Sequence, residues 1–190
     1  MGPICFCIPS LCLDVSPPTV SDTNDPVVNW TEADATRSAR WRSESGAPPP
    51  RRVMVADDRI TADAAYRLAS EGTALLWRGD FQNARQLLQA MARRIDRKPR
   101  KAASSPTEAF NFHRQAQSQR ARTLGMLLLP LEADFSIPLR RAPDVKQACA
   151  EAYGAGEVPS VVSLRELLGV IGAHEWRKKG VDIPALGERI

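Results

Sequence analysis

Residues 61–95 have the sequence TADAAYRLASEGTALLWRGDFQNARQLLQAMARRI, and its apolar spacing predicts two helices. Thr61 can cap the first helix, and Asp63 suits the positive end of the helix dipole. Small and apolar residues then recur at three- and four-residue steps, as on one helical face: Ala65, Leu68, Gly72, Leu75 and Leu76. Gly79-Asp80 breaks the pattern, so the first helix is expected to end there.

The second helix follows this break and has its own apolar face, formed by Phe81, Ala84, Leu87, Leu88, Met91 and Ile95. Two such helices should close as an antiparallel helical hairpin. The order Gly72, Leu75, Gly79-Asp80-Phe81, Ala84, Leu88 resembles one tetratricopeptide-type unit. A single unit cannot bury its own face and no second copy follows at a fixed period, so a helical protein-interaction scaffold is the weaker alternative.

Start and stop signals predict three more helices, from 106 to about 122, from 143 to about 153 and from 163 to 179. Ser105 can cap the first of them, and Ser163 forms a capping box with Glu166 at the start of the last.

A short apolar run at 125–129, between glycine and proline, predicts a buried strand. Residues 135–137 are expected to pair with it as a short β-hairpin. The predicted fold class is therefore mainly α, with a helical hairpin, further helices and this small β-hairpin.

Residues 1–52 are predicted to be a disordered leader, because prolines, serines and acids interrupt them and neither a helical nor a strand period appears. Trp30 and Trp41 are large apolar groups within it. The foldable domain is then residues 53–190, basic and mostly helical. The apolar part of the leader lacks a basic start and is too short to span a bilayer, so neither export nor membrane insertion is expected.

The placement of the cysteines favours a reducing cytoplasm. Three of the four, Cys5, Cys7 and Cys12, lie in the leader, and Cys149 lies alone on a predicted helix. This distribution differs from the paired cysteines of a small disulfide-bonded secreted domain. Without a histidine or a second cysteine pair near the leader cysteines, no metal site is expected.

The positive charge is concentrated after residue 50. The chain has a net charge of +4, and residues 1–50 hold three arginines against six acids, a balance of −3 that leaves +7 for the remainder. Such an excess attracts polyanions, among which nucleic acid is the commonest. The densest stretch, 93–101, has six cations and one acid. Either these cations contact phosphates, or they only complement the negative C-terminus of a helix.

The predicted helix at 106–122 adds side chains that suit a nucleic-acid backbone or base edges, among them Phe112, His113 and several glutamines. The candidate nucleic-acid-binding residues are therefore Arg93, Arg94, Arg97, Lys98, Arg100, Lys101, Arg114 and Arg120.

Patterns for catalysis are absent from the sequence. Gly154 and Gly156 follow a predicted helix, and Gly169 and Gly172 lie within one, so no glycine-rich loop joins a strand to a helix. No serine or cysteine is matched with a base. No catalytic, cofactor-binding or metal-ligating residue is predicted, and an enzyme confined to these residues is not expected.

Three segments carry a resemblance to a known family: TADAAYRLA at 61–69, TALLWRGDF at 73–81 and LRELLG at 164–169. They look like the N-terminal region of bacterial class I methyltransferases of the small-domain type. Residues 115–125, 140–144 and HEWRKKG at 174–180 strengthen the match, which misses the leader.

The resemblance implies that a doubly wound domain follows in this family, with a glycine-rich loop for S-adenosylmethionine and an Asn-Pro-Pro-type motif for the acceptor amine. Neither motif occurs in this chain, so it is expected to be truncated before its catalytic domain and to bind no cofactor itself. It is then an accessory module that helps to hold an RNA or protein substrate. The alternative is a stand-alone nucleic-acid-binding helical module.

Overall fold

The fold combines a six-stranded sheet with five helices. The structure, a computed structural model, describes residues 26–97 and 102–180 and the backbone of the strands at 182–183 and 188–189. The strands of the main sheet are β1 Val27–Glu32, β2 Ala35–Arg42, β3 Arg52–Ala56, β4 Thr73–Trp77, β5 Leu127–Leu131 and β6 Ser160–Ser163. The helices are α1 Ala62–Ser70, α2 Phe81–Asp96, α3 Pro106–Leu124, α4 Lys146–Tyr153 and α5 Leu164–Lys179. Two short strands, β7 Asp182–Ile183 and β8 Glu188–Arg189, pair separately.

The main sheet has the strand order β1-β2-β6-β5-β4-β3. Strands β3, β4 and β5 are parallel, β6 runs antiparallel to β5, and β2 joins β6 in parallel. The hairpin of β1 and β2 completes the sheet. The outer strands β1 and β3 approach each other, so the curled sheet is nearly barrel-shaped.

Alternate residues of the strands point to two separate cores. The larger core lies under the helices and includes Leu75, Trp77, Phe81 and Met91, all 1% exposed or less. The smaller core lies on the other face, which the curled sheet encloses. Its buried members are Val28, Trp41, Ala74, Leu76, Leu128 and Val161.

The predicted mainly α fold is wrong, and the clearest difference is at β4. The periodicity placed Leu75 and Leu76 on the first helix, whereas α1 ends at Ser70 and Gly72 then takes a φ of +83°. Residues 74–77 are all buried, because β4 is covered on both faces. A strand buried on both faces has a continuous apolar run that is easily mistaken for a helical stripe. Consequently there is neither a helical hairpin nor a tetratricopeptide unit at 61–95.

The strands β1 and β2 also contradict the predicted fold, because they lie within the expected disordered leader. A two-residue turn at Ala33-Asp34, with φ values of +49° and +62°, joins them as such hairpin turns require. Trp41 is buried in the enclosed core and Trp30 packs against it. Residues 1–25, including Cys5, Cys7 and Cys12, lie outside the described residues.

The strand predicted at 125–129 is present as β5, but its predicted partner at 135–137 is not a strand. Phe135 takes a φ of +63°, and Ser136 O accepts a hydrogen bond from Glu132 N over 2.9 Å. The chain thus makes a tight turn here, and β5 pairs with β4 and β6 instead.

Local helix signals were more reliable. Thr61 caps α1 by accepting from Ala64 N, and Ser105 caps α3 by accepting from Glu108 N over 3.2 Å. The helix predicted from Ser163 is present as α5 and ends at Gly180, although the Ser163 side chain makes no capping hydrogen bond. None of the described helices is long and apolar enough to cross a membrane.

Candidate nucleic-acid interface

The last turns of α2 present three exposed arginines, Arg93, Arg94 and Arg97. Arg94 forms an ion pair with Asp63 in the first turn of α1, and its guanidinium carbon lies 5.5 Å from the centre of the Tyr66 ring. Arg93 and Arg97 have no ion-pair partner among the described residues. Within the described part of the chain, Asp63 and Asp96 lie near these two guanidinium groups but are paired with Arg94 and Arg120.

Arg120 of α3 is tied to the same helix end through Asp96. Its Nε lies 3.0 Å from Asp96 Oδ1 and its Nη2 lies 3.1 Å from Asp96 Oδ2, so the two side chains form a bidentate ion pair. This hydrogen bonding raises the pKa of Arg120, against the opposing effect of burial. The pair joins α3 to α2 and neutralises Asp96.

A cavity of about 610 Å³ lies where α3 meets α1 and α2. From α3 it receives residues at three- and four-residue steps, a stripe that faces the other two helices: Phe112, Ala116, Gln119 and Thr123. Tyr66 and Ile95 line it from α1 and α2. We call this cavity the α3 groove. Most of α3 is exposed, and Thr123 and Leu124 are its only fully buried described residues.

The structure brings together only some of the predicted binding residues. Arg120 lines the groove, whereas Arg93, Arg94 and Arg97 line a separate, smaller cavity of about 220 Å³ between α2 and the start of α1. Arg114 does not line the groove, and its guanidinium carbon lies 5.8 Å from the centre of the exposed Phe110 ring. The predicted residues Lys98, Arg100 and Lys101 lie outside the described residues.

Tyr66 is an aromatic groove residue that the sequence analysis did not name as a candidate. It sits on α1 beside the apolar face marked by Ala65 and Leu68, and it is half-buried. Its position next to the apolar face of α1 was the only sequence feature that could have marked Tyr66 as a contact residue. Its contact with Arg94 depends on how α1 packs against α2. Aromatic side chains therefore do accompany the basic cluster, although none is interleaved with it in sequence.

A second polar cluster lies at the carboxyl ends of β3 and β4. Asp58 accepts hydrogen bonds from Asp80 N over 3.1 Å and from Asn83 Nδ2 over 3.0 Å. Arg141 Nε donates to Asp80 Oδ2 over 2.7 Å, and this bond holds the pKa of the buried Asp80 carboxyl below its usual value. These groups satisfy one another and hold the loops together. Among the described residues, no group of histidine, cysteine, aspartate or glutamate is arranged to bind a metal ion.

Comparisons with known proteins add no family assignment. No family model, curated protein or solved structure matches this chain. The methyltransferase resemblance therefore rests on the sequence segments quoted above, and the candidate interface rests on the geometry of α1, α2 and α3.

Proposed function

We propose that this chain is the accessory, substrate-binding module of a class I methyltransferase, that its substrate is RNA and that it acts in the cytoplasm. The resemblance of segments 61–69, 73–81 and 164–169 supports the methyltransferase assignment. The exposed arginines at the end of α2 support the choice of RNA. A fully buried Cys149 is compatible with a reducing compartment.

The residues present do not fit S-adenosylmethionine. Such a cofactor needs a glycine-rich turn from a strand into a helix. Among the described turns of this kind, only the one after β4 holds a glycine, Gly79, and the Asp58 carboxylate is packed directly against it. The cofactor is therefore assigned to the catalytic domain of the family, and we derive no methyl-transfer step from this chain.

The observation that carries the RNA proposal is the exposed pair Arg93 and Arg97, which lie with Arg94 around one cavity at the end of α2. Guanidinium groups that contact phosphates release condensed counterions, which makes binding fall steeply with salt. Because Arg94 and Arg120 are already paired with Asp63 and Asp96, they hold the surface in shape.

The test is a salt titration of labelled single-stranded RNA, followed by fluorescence anisotropy. The double variant R93A/R97A should weaken binding and reduce the slope of log affinity against log salt by about 1.4, at roughly 0.7 per lost phosphate contact. The control R85A/R165A removes two exposed arginines elsewhere and should keep the wild-type slope. No binding at low salt would refute RNA binding, and equal losses in both double variants would refute the assignment of the contacts to Arg93 and Arg97.

The methyltransferase part has a separate test in the DNA that follows the codon for Ile190. An open reading frame there should encode a doubly wound domain with a glycine-rich cofactor loop. RNA binding combined with a stop codon at that point would instead support the alternative, a stand-alone nucleic-acid-binding module.

A further inference from the structure

We infer that α5 is a self-association surface, through which two copies of this chain pair weakly in an antiparallel arrangement. The surface is the outward side of α5, which we call the α5 face, and it consists of Arg165, Gly169, Gly172, Ala173 and Trp176. These residues line neither the α3 groove nor the smaller cavity at the end of α2. Self-association through this face is therefore independent of the proposed RNA binding.

Trp176 is the residue of the α5 face that gains most from a partner. It is 70% exposed, the highest value among the large apolar residues that the structure describes. A tryptophan side chain buries roughly 150–250 Å² when it is covered, and removing apolar surface from water is favourable. The core side of α5, with Leu164, Leu167 and Val170, points the opposite way. Consequently α5 presents a large apolar side chain away from its own core.

Small residues give the rest of the α5 face a flat surface beside Trp176. A Cβ added at Gly169 or at Gly172 would meet no atom within 4 Å, so the space above both glycines is open. Neither glycine has a positive φ, and glycine weakens a helix relative to alanine. Neither position thus needs glycine for its backbone conformation or for space within one copy. The close approach of a second helix does favour small residues, because the side chains at the contact set the distance between two helix axes.

The projecting side chain and the flat surface are spaced so that two copies fit each other. Trp176 follows Gly169 by seven residues, which is two helical turns or about 10 Å. When two α5 helices cross antiparallel between Gly172 and Ala173, each Trp176 lies over the partner's Gly169. The same contact is then made twice about a two-fold axis, so the association closes at a dimer.

The charges at the two ends of α5 favour this antiparallel direction. The C-terminal end has one more cation than acid when its ion pairs within one copy are counted: Arg177 with Glu151, Lys179 with Glu175, and the exposed Lys178. At the N-terminal end, Glu166 and the adjacent exposed Glu44 outnumber Arg165. Antiparallel pairing places the basic end of one copy beside the acidic end of the other, and it also opposes the two helix dipoles.

The size of the interface predicts a weak and reversible dimer. Specific interfaces bury at least about 1,200 Å² in total, and the two tryptophans supply roughly 300–500 Å² of this area. The small residues between them and the two ends of α5 supply the rest. We therefore expect a dissociation constant of about 10–100 μM.

Sedimentation equilibrium of the full chain over about 1–300 μM tests this inference. The wild type should change from monomer to dimer and form nothing larger. W176A should raise the dissociation constant at least about tenfold, as the loss of a central tryptophan does in other interfaces. F110A removes the exposed aromatic side chain of α3 and should keep the wild-type constant. A chain that stays monomeric throughout, or a W176A variant that dimerises like the wild type, would overturn the inference.

Two complementary variants test the contact between Trp176 and Gly169 itself. G169L fills the space that receives the partner's Trp176, and leucine favours helices, so the variant should fold but stay monomeric. S118L makes a similar change on the exposed side of α3 and should dimerise like the wild type.

An equimolar mixture of W176A and G169L should associate more than either variant alone. In the mixed pair, the G169L copy supplies an intact Trp176 and the W176A copy supplies an intact Gly169, so one of the two contacts is restored. A mixture that associates no better than the separate variants would show that Trp176 does not pack on the partner's Gly169, and the inference would be wrong.

Discussion

Tyr153 Oη donates a hydrogen bond to Glu166 Oε1 over 3.1 Å, which joins the last residue of α4 to the first turn of α5. The same carboxylate accepts from Ser43 Oγ over 2.9 Å, from Glu44 N over 2.6 Å and from Ser45 Oγ over 3.2 Å. Four donors from two separate segments thus converge on one side chain. Glu166 was expected to cap its own helix, and it instead fastens the loop after β2 to α5.

Replacing Glu166 should therefore loosen two connections at once. E166A leaves the Tyr153 hydroxyl and the backbone NH of Glu44 without their acceptor, and we expect a loss of about 2 kcal/mol in the free energy of unfolding. Urea denaturation measures this loss. E157A, at an exposed position, is the matched control and should stay within about 0.5 kcal/mol of wild type. Identical midpoints for the two variants would show that the contacts of Glu166 contribute nothing.

Tyr153 should also make the folded state lose stability at alkaline pH. Burial, with Glu166 adding to it, raises the pKa of Tyr153, so the folded state keeps the hydroxyl neutral where the unfolded chain ionises. Its contribution is complete below about pH 10, the ordinary tyrosine pKa, and is lost as the pH rises further, by up to about 1.4 kcal/mol per pH unit. Y153F should be less stable at pH 8 but decline less between pH 9 and 11. Parallel stability curves from urea titrations would contradict this.

Asp80 should contribute to the loss of stability of the folded state at acidic pH. The hydrogen bond from Arg141 lowers the pKa of Asp80, so its contribution is present above the ordinary aspartate pKa of about 4 and is lost as the pH falls below it. D80N should be less stable than wild type at pH 7, and the difference should shrink as the pH falls from 5 to 2.

A double-mutant cycle with R141A isolates this pair. D80N/R141A should lose less stability at pH 7 than the sum of the single variants, because either substitution alone removes the same ion pair. Strictly additive losses would show that the contact of 2.7 Å between Arg141 Nε and Asp80 Oδ2 does not stabilise the fold.

Two glycines should respond in opposite directions to alanine. A Cβ at Gly79 would overlap the Asp58 carboxylate, with Asp58 Cγ only 2.7 Å away, so G79A should destabilise by about 1–3 kcal/mol. A Cβ at Gly169, inside α5, meets no atom within 4 Å, so G169A should stabilise by about 0.5–1 kcal/mol. Thermal unfolding of both variants checks the pair. If G79A were as stable as the wild type, the loop after β3 would have to move Asp58 away from the new Cβ at little cost in free energy.

Sequence reasoning succeeded where the controlling interactions are local. The caps at Thr61 and Ser105 are made by residues within one helical turn, and their sequence signals are sufficient. β4 was missed because strands β3 and β5 cover its edges and cores cover both its faces, which removes the alternation that marks a half-buried strand. No local rule separates such a run from part of a buried helix.

The candidate site likewise combines features that the local sequence predicts with contacts that only the packed helices create. The exposure of Arg93 and Arg97 follows from a basic helix end, which is a local property. The pairing of Arg120 with Asp96 and the approach of Tyr66 to Arg94 require three helices to pack together. A groove made between helices leaves no continuous sequence pattern, so Tyr66 could not be assigned to it in advance.

The pairing of β2 with β6 has a consequence for synthesis of the chain. Arg42 and Ser160, which meet at this pairing, are 118 residues apart. At about 5–20 residues per second, the ribosome needs roughly 6–24 s to make the intervening segment. Until then the core around Trp41 and Val28 lacks Val161 of β6. The hairpin of β1 and β2 therefore joins the sheet only after the later strand β6 has been made, and chaperones have that interval in which to bind its two tryptophans, Trp30 and Trp41.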